Sequence, residues 1–574
     1  MNDSGGGRVN EEVWAEDAVD AAGGLDLLLT DAALGVWRRF RPDSSLLRLA
    51  GELARRPEFV ARQAGSLATE LGRIAAGRSA VAADPRDRRF ADPAWKDNPL
   101  LRRTVQAYLA AAASASALVE GAELDWRDDT RLKFLLTNLI AAGAPSNNPL
   151  LSPAGWKALI DTGGENAVRG LRHLASDLAT SPRVPSMVPA GSFEVGKDLA
   201  VTPGGVVHAT DQFELIQYQP ATDMVYRYPL LIVPPMINKY YIVDLAPGRS
   251  MVEFLVSQGH QVFVMSWRNP DARHRDWGLD TYGTALTGAL AAVRAVSGAA
   301  KVHICALCSG GIMTSMVAAH LAVTGQLDQL ASLCLGVAVL DQTQAGTAGA
   351  VIDETTAAAA MAVSSARGYL DGRALAEVFA WLRPDDLIWN YWVNNYLQGK
   401  TPPAFDILYW NADVTRLPAA LHHDFLRLGL ANALVTPGAA TMLGSPVDLG
   451  KVDVDAYLVA GITDHLCPWE SCYRTTQLLG GPVRFVLSTS GHIAAMVNPP
   501  TNPKAKFRTV ASGANPADPG EFLATATTVP GSWWTDYAAW LAERGGGQRK
   551  SPRTLGRKAY PVRAAAPGTY VHDH

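Results

Sequence analysis

The residue best suited to covalent chemistry is Cys308, in the segment KVHICALCSGGIMTSMVAAHLAV. This segment has the pattern of an apolar strand, a tight turn of small residues and a helix, which is the setting of a nucleophile elbow. The residues two before and two after the nucleophile must be small, because the sharp turn brings them close together. For Cys308 these residues are Ala306 and Gly310. If Ser309 were the nucleophile, Leu307 would stand at a crowded position. The pattern therefore favours Cys308, whose thiolate the start of the helix would also stabilise.

An elbow nucleophile needs a base and an acid that orients the base, and in this fold the acid precedes the histidine along the chain. Asp464 follows the strand-like run VDAYLVAG in GITDHLCPW, and His492 follows the run VRFVLS in STSGHIAAM. We predict that His492 is the general base and Asp464 its partner. Asp341 is the alternative acid, at the end of an earlier strand. His465 could contact a substrate, although a local structural hydrogen bond is the favoured interpretation.

An oxyanion hole requires two backbone N–H donors. One is expected from the residue after the nucleophile, Ser309. The other is expected from the loop after an earlier strand, at Ile237 or a neighbour in PPMINKYY.

The cysteines allow an alternative reading as a metal or redox site. Cys305 and Cys308 form a C-x-x-C, and with Cys467 and Cys472 they could make a four-thiolate zinc site or a redox pair. However, strand and elbow positions point in different directions, and four residues separate the second pair. We therefore expect no metal and no cofactor, with Cys305 and Cys334 as buried strand residues.

The elements that would position these residues are six short apolar runs separated by helical stretches. They are PLLIVPP (229 to 235), QVFVMSW (261 to 267), KVHICAL (301 to 307), SLCLGVAVLD (332 to 341), VDAYLVAG (454 to 461) and VRFVLS (483 to 488). Continuous apolar strands alternating with helices indicate a parallel sheet covered on both faces. With the elbow, this predicts an α/β hydrolase fold with an aromatic-rich cap inserted at about 342–452.

The first part of the chain differs in composition from the rest. Helical spacing of apolar residues predicts an all-α domain over 1–195, and a Pro, Ser and Gly-rich stretch at about 181–210 separates it from a catalytic domain over 196–574. From 544 onward the tail is basic and is predicted to be solvated, with a surface-binding role as the alternative.

The composition excludes several classes of protein. Apolar residues make up 48% and charged residues 18% of the 574 residues, as in an ordinary globular protein. The net charge of −4 gives no general attraction to nucleic acid. Five cysteines form no disulfide framework, the polar N-terminal residues do not resemble a signal peptide, and no apolar run reaches about 18 residues. These features predict a cytoplasmic protein without a transmembrane segment.

Several segments resemble the polyhydroxyalkanoate synthases, which polymerise (R)-3-hydroxyacyl-CoA thioesters into storage polyester. The resemblance rests on DPRDRRFADPAWKDNP, PPMINKYYIVDL, ALCSGG, IWNYWVNNYLQG, FDILYWNADVTRLP, TDHLCPW, SGHIAAMVNPP and the closing AYPVRAAAPGTYVHDH. The cap and tail look most like the single-subunit class that accepts medium-chain substrates. One departure is Ala306, where the family usually has glycine.

The resemblance implies roles for particular residues. Cys308 would accept the acyl group, with His492 as base and Asp464 as its partner, and Trp410 would lie at a dimer contact. It further implies a homodimer at the surface of polymer granules, with the N-terminal half serving granule association and dimer stability. Two rival interpretations remain: a thioesterase or polyester hydrolase with the same triad, and a granule-coating protein without catalysis.

Overall fold

A computed structural model describes residues 25–35, 44–343, 354–464, 466–510 and 515–574. Its strands are β1 Gly204–Ala209, β2 Phe213–Tyr218, β3 Met224–Tyr226, β4 Leu230–Val233, β5 Val262–Trp267, β6 Val302–Leu307, β7 Leu330–Gly336, β8 Tyr369–Leu370, β9 Leu417–Pro418, β10 Thr441–Met442, β11 Ser445–Pro446, β12 Ala456–Gly461, β13 Val483–Ser488, β14 Lys506–Thr509, β15 Thr527–Pro530, β16 Gln548–Lys550 and β17 Ala564–Ala565. One large sheet has the order β15, β14, β13, β12, β7, β6, β4, β5, β2, β1, β17. The pairs β3 and β16, β8 and β9, and β10 and β11 lie apart from it.

The centre of the large sheet is parallel. Strands β5, β4, β6, β7, β12 and β13 pair in this order, each parallel to its neighbour. They are the six strands predicted from the apolar runs, and every residue of β4, β5, β6 and β12 is buried. Such complete burial follows from helices covering both faces. The predicted α/β hydrolase fold is confirmed.

The edges of the sheet are antiparallel and were not predicted. On one side β2, β1 and β17 extend it, and on the other β14 and β15 do so. These strands are short and carry mixed polar and apolar residues, so their pairing depends on the strand beside them more than on their own pattern.

Helices surround the sheet and form the N-terminal region. They are α1 Leu25–Leu34, α2 Ser44–Arg55, α3 Pro57–Ala75, α4 Ala94–Asp97, α5 Pro99–Glu120, α6 Trp126–Ala142, α7 Pro153–Asp161, α8 Glu165–Ala179, α9 Met251–Ser257, α10 Leu279–Ser297, α11 Ser309–Val323, α12 Glu354–Arg367, α13 Gly372–Leu382, α14 Asp406–Ala412, α15 Ala419–Ala431, α16 Trp469–Arg474, α17 His492–Met496, α18 Pro519–Thr525 and α19 Trp533–Glu543. Across the described ranges, none of the helices combines the length and the hydropathy that crossing a membrane requires.

The N-terminal helices pack on the helices that follow β7. His422 of α15 donates from Nε2 to the backbone carbonyl of Leu29 in α1, at 3.2 Å. Asn166 of α8 donates to the carbonyl of Leu397 at 2.9 Å, in a π-helical segment of the cap region. The cap region is therefore in direct contact with the N-terminal helices. The domain boundary near 195 and the cap limits at about 342–452 stay predictions, and part of the cap falls outside the described residues.

The C-terminal tail packs against the rest of the chain. The prediction that the tail is solvated is therefore wrong for its backbone. Strand β16 pairs with β3, and β17 adds to the edge of the large sheet beside β1. The N–H groups of Thr569 and Tyr570 donate to the buried carboxylate of Glu214, at 2.8 and 3.0 Å. The buried ammonium of Lys239 donates to the carbonyl of Val571 at 3.0 Å. Buried charges need such partners, and the tail supplies them.

Candidate active site

Cys308 occupies a sharp turn between β6 and α11. Its backbone has φ 50° and ψ −123°, a strained conformation for a residue with a side chain. Its N–H donates to the carbonyl of Gly336 at 2.9 Å, which ties the turn to β7. Gly310 is required for space, because a Cβ there would lie 2.6 Å from the carbonyl oxygen of Pro234. Ala306 is buried within β6, and its methyl group fits there, so its departure from glycine does not disturb the turn.

Ser309 has a different role from its neighbour. Its side chain is fully buried, and its Oγ accepts a hydrogen bond from the N–H of Met236 at 3.1 Å. Its own backbone N–H donates to the sulfur of Cys308. The Ser309 hydroxyl therefore fixes the loop after β4, while Cys308 holds the half-buried position at the tip of the elbow.

His492 and Asp464 meet as predicted from their order along the chain. His492 begins α17, just after β13, and Asp464 lies in the turn after β12. The His492 Nδ1–H donates to Asp464 Oδ2 at 2.8 Å. Gly461 permits the close approach of these loops, because a Cβ there would lie 2.3 Å from the carbonyl oxygen of Ser490. The other ring nitrogen of His492 is left for Cys308, with which it shares a hydrogen bond.

Cys467 also lies at this site, although the sequence analysis gave it no role beside Cys308, His492 and Asp464. Sulfur atoms of Cys308 and Cys467 and a ring nitrogen of His492 all lie within 4.8 Å of one another. Asp464 Oδ1 accepts the N–H groups of Leu466 and Cys467, at 2.8 and 2.9 Å, so the same carboxylate orients the histidine and holds the loop of Cys467. The close spacing of Asp464 and Cys467 in TDHLCPW was the available signal.

The charges of these groups favour a thiolate. The hydrogen bond from the Cys467 thiol is the largest influence on Cys308, and with the hydrogen bond and charge of His492 it lowers the pKa of Cys308 to about 5, against the effect of burial. Burial lowers the pKa of His492, but the charge and hydrogen bond of Asp464 and the neighbouring Cys308 outweigh it and raise the pKa to about 10. The pKa of Cys467 is raised, chiefly by its hydrogen bond to Cys308. Between pH values of about 5 and about 10, Cys308 is a thiolate beside an imidazolium.

This pairing predicts an unusual pH profile for alkylation of Cys308 by iodoacetamide. A lowered pKa means that the thiolate persists until the pH falls through about 5. The rate should therefore be nearly flat around neutral pH, whereas an ordinary thiol with a pKa of about 8.5 would slow roughly tenfold per pH unit there. The rate is measured by mass spectrometry of the peptide that contains Cys308.

A matched pair of variants tests the cause of the low pKa. Cys467→Ala should shift the midpoint upward, because it removes the largest influence on Cys308. Cys472→Ala, at another buried cysteine, serves as the control. A wild-type midpoint near 8.5 would contradict the ion pair.

The predicted second oxyanion donor lies in the loop of residues 234–239, which we call the oxyanion loop. The N–H of Met236 in this loop already donates to Ser309. The carbonyl of Ile237 accepts the N–H of Thr415 at 3.2 Å, and the Thr415 hydroxyl donates to the carbonyl of Met236 at 3.1 Å. The cap region therefore holds this loop in place. Donation by the N–H of Ile237 to an oxyanion stays a prediction.

Trp410, predicted at a dimer contact, is buried inside the chain. It lies in α14, and its Nε1–H donates to the carbonyl of Lys239 at 2.8 Å, at the end of the oxyanion loop. Its side chain is 5% exposed. A role of Trp410 in a dimer stays a prediction. Because its side chain is buried, Trp410 could affect a dimer contact only through the exposed residues around it.

The remaining candidates from the sequence lie elsewhere or outside the described residues. Asp341 accepts hydrogen bonds from Thr343 N–H at 2.8 Å and from Asn432 Nδ2 at 3.0 Å. Cys305 is buried in β6 opposite Cys334. His465 is outside the described residues. Of the four thiols considered for a metal, the structure therefore joins Cys308 and Cys467 with His492.

An apolar crevice opens between the nucleophile helix and the cap region. It is lined by Ile312, Val339, Leu340, Gln342, Phe425, Leu428, Gly429 and Leu434. Ile312 lies one helical turn after Cys308, in α11. The crevice leaves about 20 Å³ for an occupant, which is room for a water molecule and not for an alkyl chain.

Comparison with known proteins identifies the family. Residues 86–255 match the family described as the poly-beta-hydroxybutyrate polymerase (PhaC) N-terminus, and residues 229–499 match the α/β hydrolase fold family. The chain is 44% identical over 530 residues to poly(3-hydroxyalkanoate) polymerase 1 of Ectopseudomonas oleovorans, covering 92% of this chain and 94% of that protein. The chain belongs to the poly(3-hydroxyalkanoate) polymerase family.

Further similarities include a second polymerase and the solved structure of an esterase. Polymerase 2 of the same organism is 46% identical over 532 residues, again covering 92% of this chain and 94% of that protein. Among solved structures, an esterase from Exiguobacterium antarcticum has 13% identity and a TM-score of 0.30, covering 50% of this chain and 92% of that chain. The resemblance to polyhydroxyalkanoate synthases is confirmed, and the protein is an enzyme of the acyltransferase type.

Proposed function

We propose that this polymerase joins (R)-3-hydroxyacyl groups from CoA thioesters into polyhydroxyalkanoate and releases CoA, through an acyl group carried on Cys308. The observation that supports this most directly is the position of Cys308 in an elbow, with its sulfur within 4.8 Å of a ring nitrogen of His492, which is bonded to Asp464. The relatives named poly(3-hydroxyalkanoate) polymerases support the product. The proposed cycle uses no cofactor apart from the CoA thioester itself.

Loading begins with attack of the Cys308 thiolate on the thioester carbon of the acyl-CoA. The N–H of Ser309 donates to the oxyanion that forms, with Ile237 as the proposed second donor. As the intermediate collapses, the carbon–sulfur bond to CoA breaks and His492 gives its proton to the departing sulfur. Cys308 then carries the acyl group, and His492 is neutral.

Elongation uses the neutral histidine as a base. His492 takes the proton of the 3-hydroxyl of an incoming hydroxyacyl-CoA, and the oxygen attacks the thioester on Cys308. An ester forms, the bond to Cys308 breaks, and the thiolate beside an imidazolium is restored. The lengthened chain, now a CoA thioester, returns to Cys308 and releases CoA, so each added unit releases one CoA.

Cysteine suits this cycle better than serine for a thermochemical reason. Transfer from CoA to Cys308 exchanges one thioester for another, so little free energy is lost at loading. Transfer to the 3-hydroxyl makes an ester and runs downhill. A serine nucleophile would release that free energy before the chain is extended.

Polymerisation also requires that water does not compete for the acyl-cysteine. The packing of the cap region over the oxyanion loop, through Thr415 and Trp410, supports an enclosed site. The resemblance of the cap and tail to the single-subunit class supports an acyl chain of medium length as the preferred substituent. A thioesterase or polyester hydrolase would use the same triad with an open, wet pocket.

The deciding experiment measures CoA release from (R)-3-hydroxyoctanoyl-CoA and (R)-3-hydroxybutyryl-CoA, with the acyl product recovered and sized. We expect polymer, stoichiometric CoA release and faster reaction of the octanoyl substrate. Free hydroxy acid would instead indicate a thioesterase. No CoA release from either substrate would favour a granule-coating protein.

The N-terminal helices support attachment to the apolar surface of a polyester granule. Exposed apolar side chains lie along α7 and α8, namely Trp156, Ile160, Val168, Leu171 and Leu178. Contiguous apolar surface of this kind is where proteins bind apolar partners. We include granule association in the proposed function on this basis, while the homodimer rests on the family resemblance alone.

A double variant tests granule attachment. Ile160→Asp with Leu171→Asp should move most of the enzyme from pelleted granules to the supernatant, because these side chains are 75% and 67% exposed and available to an apolar surface. Burial of each is worth about 1.5–3 kcal/mol, so the partition should fall more than about tenfold. Leu47→Asp, at a side chain that is 76% exposed in α2, is the matched control. Equal loss from both variants would contradict a specific surface on α7 and α8.

A further inference from the structure

The cluster of Cys308, Cys467 and His492 has more ligating atoms than the reaction needs. Two sulfur atoms and one ring nitrogen lie within 4.8 Å of one another. The proposed cycle uses the sulfur of Cys308 and the nitrogen of His492, and Cys467 is left as a third donor. Cys467 is 8% exposed, and Cys308 is half-buried, so the cluster opens towards solvent on the side of Cys308.

These three donors match the preferences of a zinc ion. Zinc binds cysteine sulfur at about 2.3 Å and histidine nitrogen at about 2.0–2.1 Å in a tetrahedral arrangement, which places neighbouring ligand atoms about 3.3–3.8 Å apart. Donors within 4.8 Å can reach that spacing with small side-chain movements. Two cysteines and one histidine, with the fourth position open to water, form a known kind of three-ligand zinc site.

The surroundings of His492 strengthen the match. Ligating histidines commonly donate their other ring N–H to a carboxylate, which orients the ring. His492 Nδ1–H donates to Asp464 Oδ2 at 2.8 Å, so its other nitrogen is directed at the thiols. Asp464 also accepts the N–H of Cys467, which keeps the third ligand in the same loop.

We propose that Cys308, Cys467 and His492 form an inhibitory binding site for Zn²⁺. A bound zinc ion would occupy the sulfur of Cys308 and the ring nitrogen of His492 together, so acyl transfer would stop. This set differs from the four-thiolate arrangement considered from the sequence, because it joins two of those thiols to a histidine. The proposal depends on the geometry of the site and not on which thioester the enzyme uses.

Zinc binds the thiolate form of cysteine and the neutral form of histidine, so protons held by these side chains are released when the ion binds. The titratable groups that face the three ligands are Asp464, hydrogen-bonded to His492, and Cys472, close to Cys467.

Calorimetric titration of the untagged enzyme with ZnCl₂, in buffers of different ionisation enthalpy, tests the site directly. We expect one ion per chain and a release of protons on binding. Substitution with Co²⁺ should give the near-ultraviolet charge-transfer band of thiolate ligands. Zinc should stop CoA release in competition with acyl-CoA, and a chelator should restore it.

The matched variants are Cys467→Ser and Cys472→Ser. Cys467→Ser should weaken zinc binding at least about a hundredfold, since loss of a ligand exceeds the 10–100-fold effect of losing an outer partner. A far-ultraviolet circular dichroism spectrum and a thermal midpoint like those of the wild type show that this variant is folded. Cys472→Ser should bind zinc and release CoA as the wild type does.

Two results would overturn the proposal: no binding at micromolar zinc, or unchanged affinity in Cys467→Ser. Calorimetry measures zinc binding without turnover. A negative result would therefore reject the zinc site without bearing on the proposed polymerase activity. Zinc binding by an enzyme that yields free hydroxy acid would leave the metal site standing and reject the polymerase.

Discussion

Replacing Cys308 with alanine should abolish CoA release, by about a millionfold if chemistry limits the wild-type rate, as when a covalent nucleophile is removed from other acyl-transfer enzymes. The reason is that every step of the proposed cycle passes through the sulfur of Cys308. The measurement is single-turnover CoA release with mass spectrometry of the intact protein, which should detect the acylated wild-type chain and no acylated variant.

Ser309→Ala distinguishes the two candidate nucleophiles of the elbow. The Ser309 hydroxyl is buried and bonded to the N–H of Met236, so this variant should still form the acyl-enzyme. If the Cys308 variant were acylated and the Ser309 variant were not, the assignment of the nucleophile would be reversed.

Replacing Asp464 with asparagine should lower turnover by about ten-thousandfold, the effect of the same change in a serine protease triad. The carboxylate accepts the Nδ1–H of His492 and raises its pKa, so its loss leaves the ring in the wrong tautomer and removes the charge that stabilises the imidazolium. The pKa of Cys308 should rise with it, because its thiolate loses a cationic partner. Turnover and the alkylation profile of Cys308 are the two measurements.

Asp341→Asn is the control, since Asp341 was the alternative acid in the sequence. It accepts hydrogen bonds from Thr343 and Asn432 in the structure, and its variant should keep most of the activity. A larger loss from Asp341→Asn than from Asp464→Asn would contradict the assigned pair.

The features that could be predicted from the sequence are those that depend on short continuous segments of the chain. The six parallel strands were recognisable because burial on both faces demands uninterrupted apolar runs. The elbow was recognisable because its small residues satisfy a local steric requirement around Cys308. The antiparallel edge strands lacked such a pattern, since their pairing comes from neighbours that are distant along the chain, as for Gly205 opposite Ala565.

Local pattern and chain order were enough to predict the parallel core of the sheet, the elbow and the order of Cys308, Asp464 and His492. Only the folded structure shows that Cys467 lies beside Cys308 and that Trp410 is buried behind the oxyanion loop. It also decided that the basic tail packs against Glu214 and Lys239. These contacts join segments far apart in the chain, and they form because buried charges and thiols must find partners once the fold has closed around them.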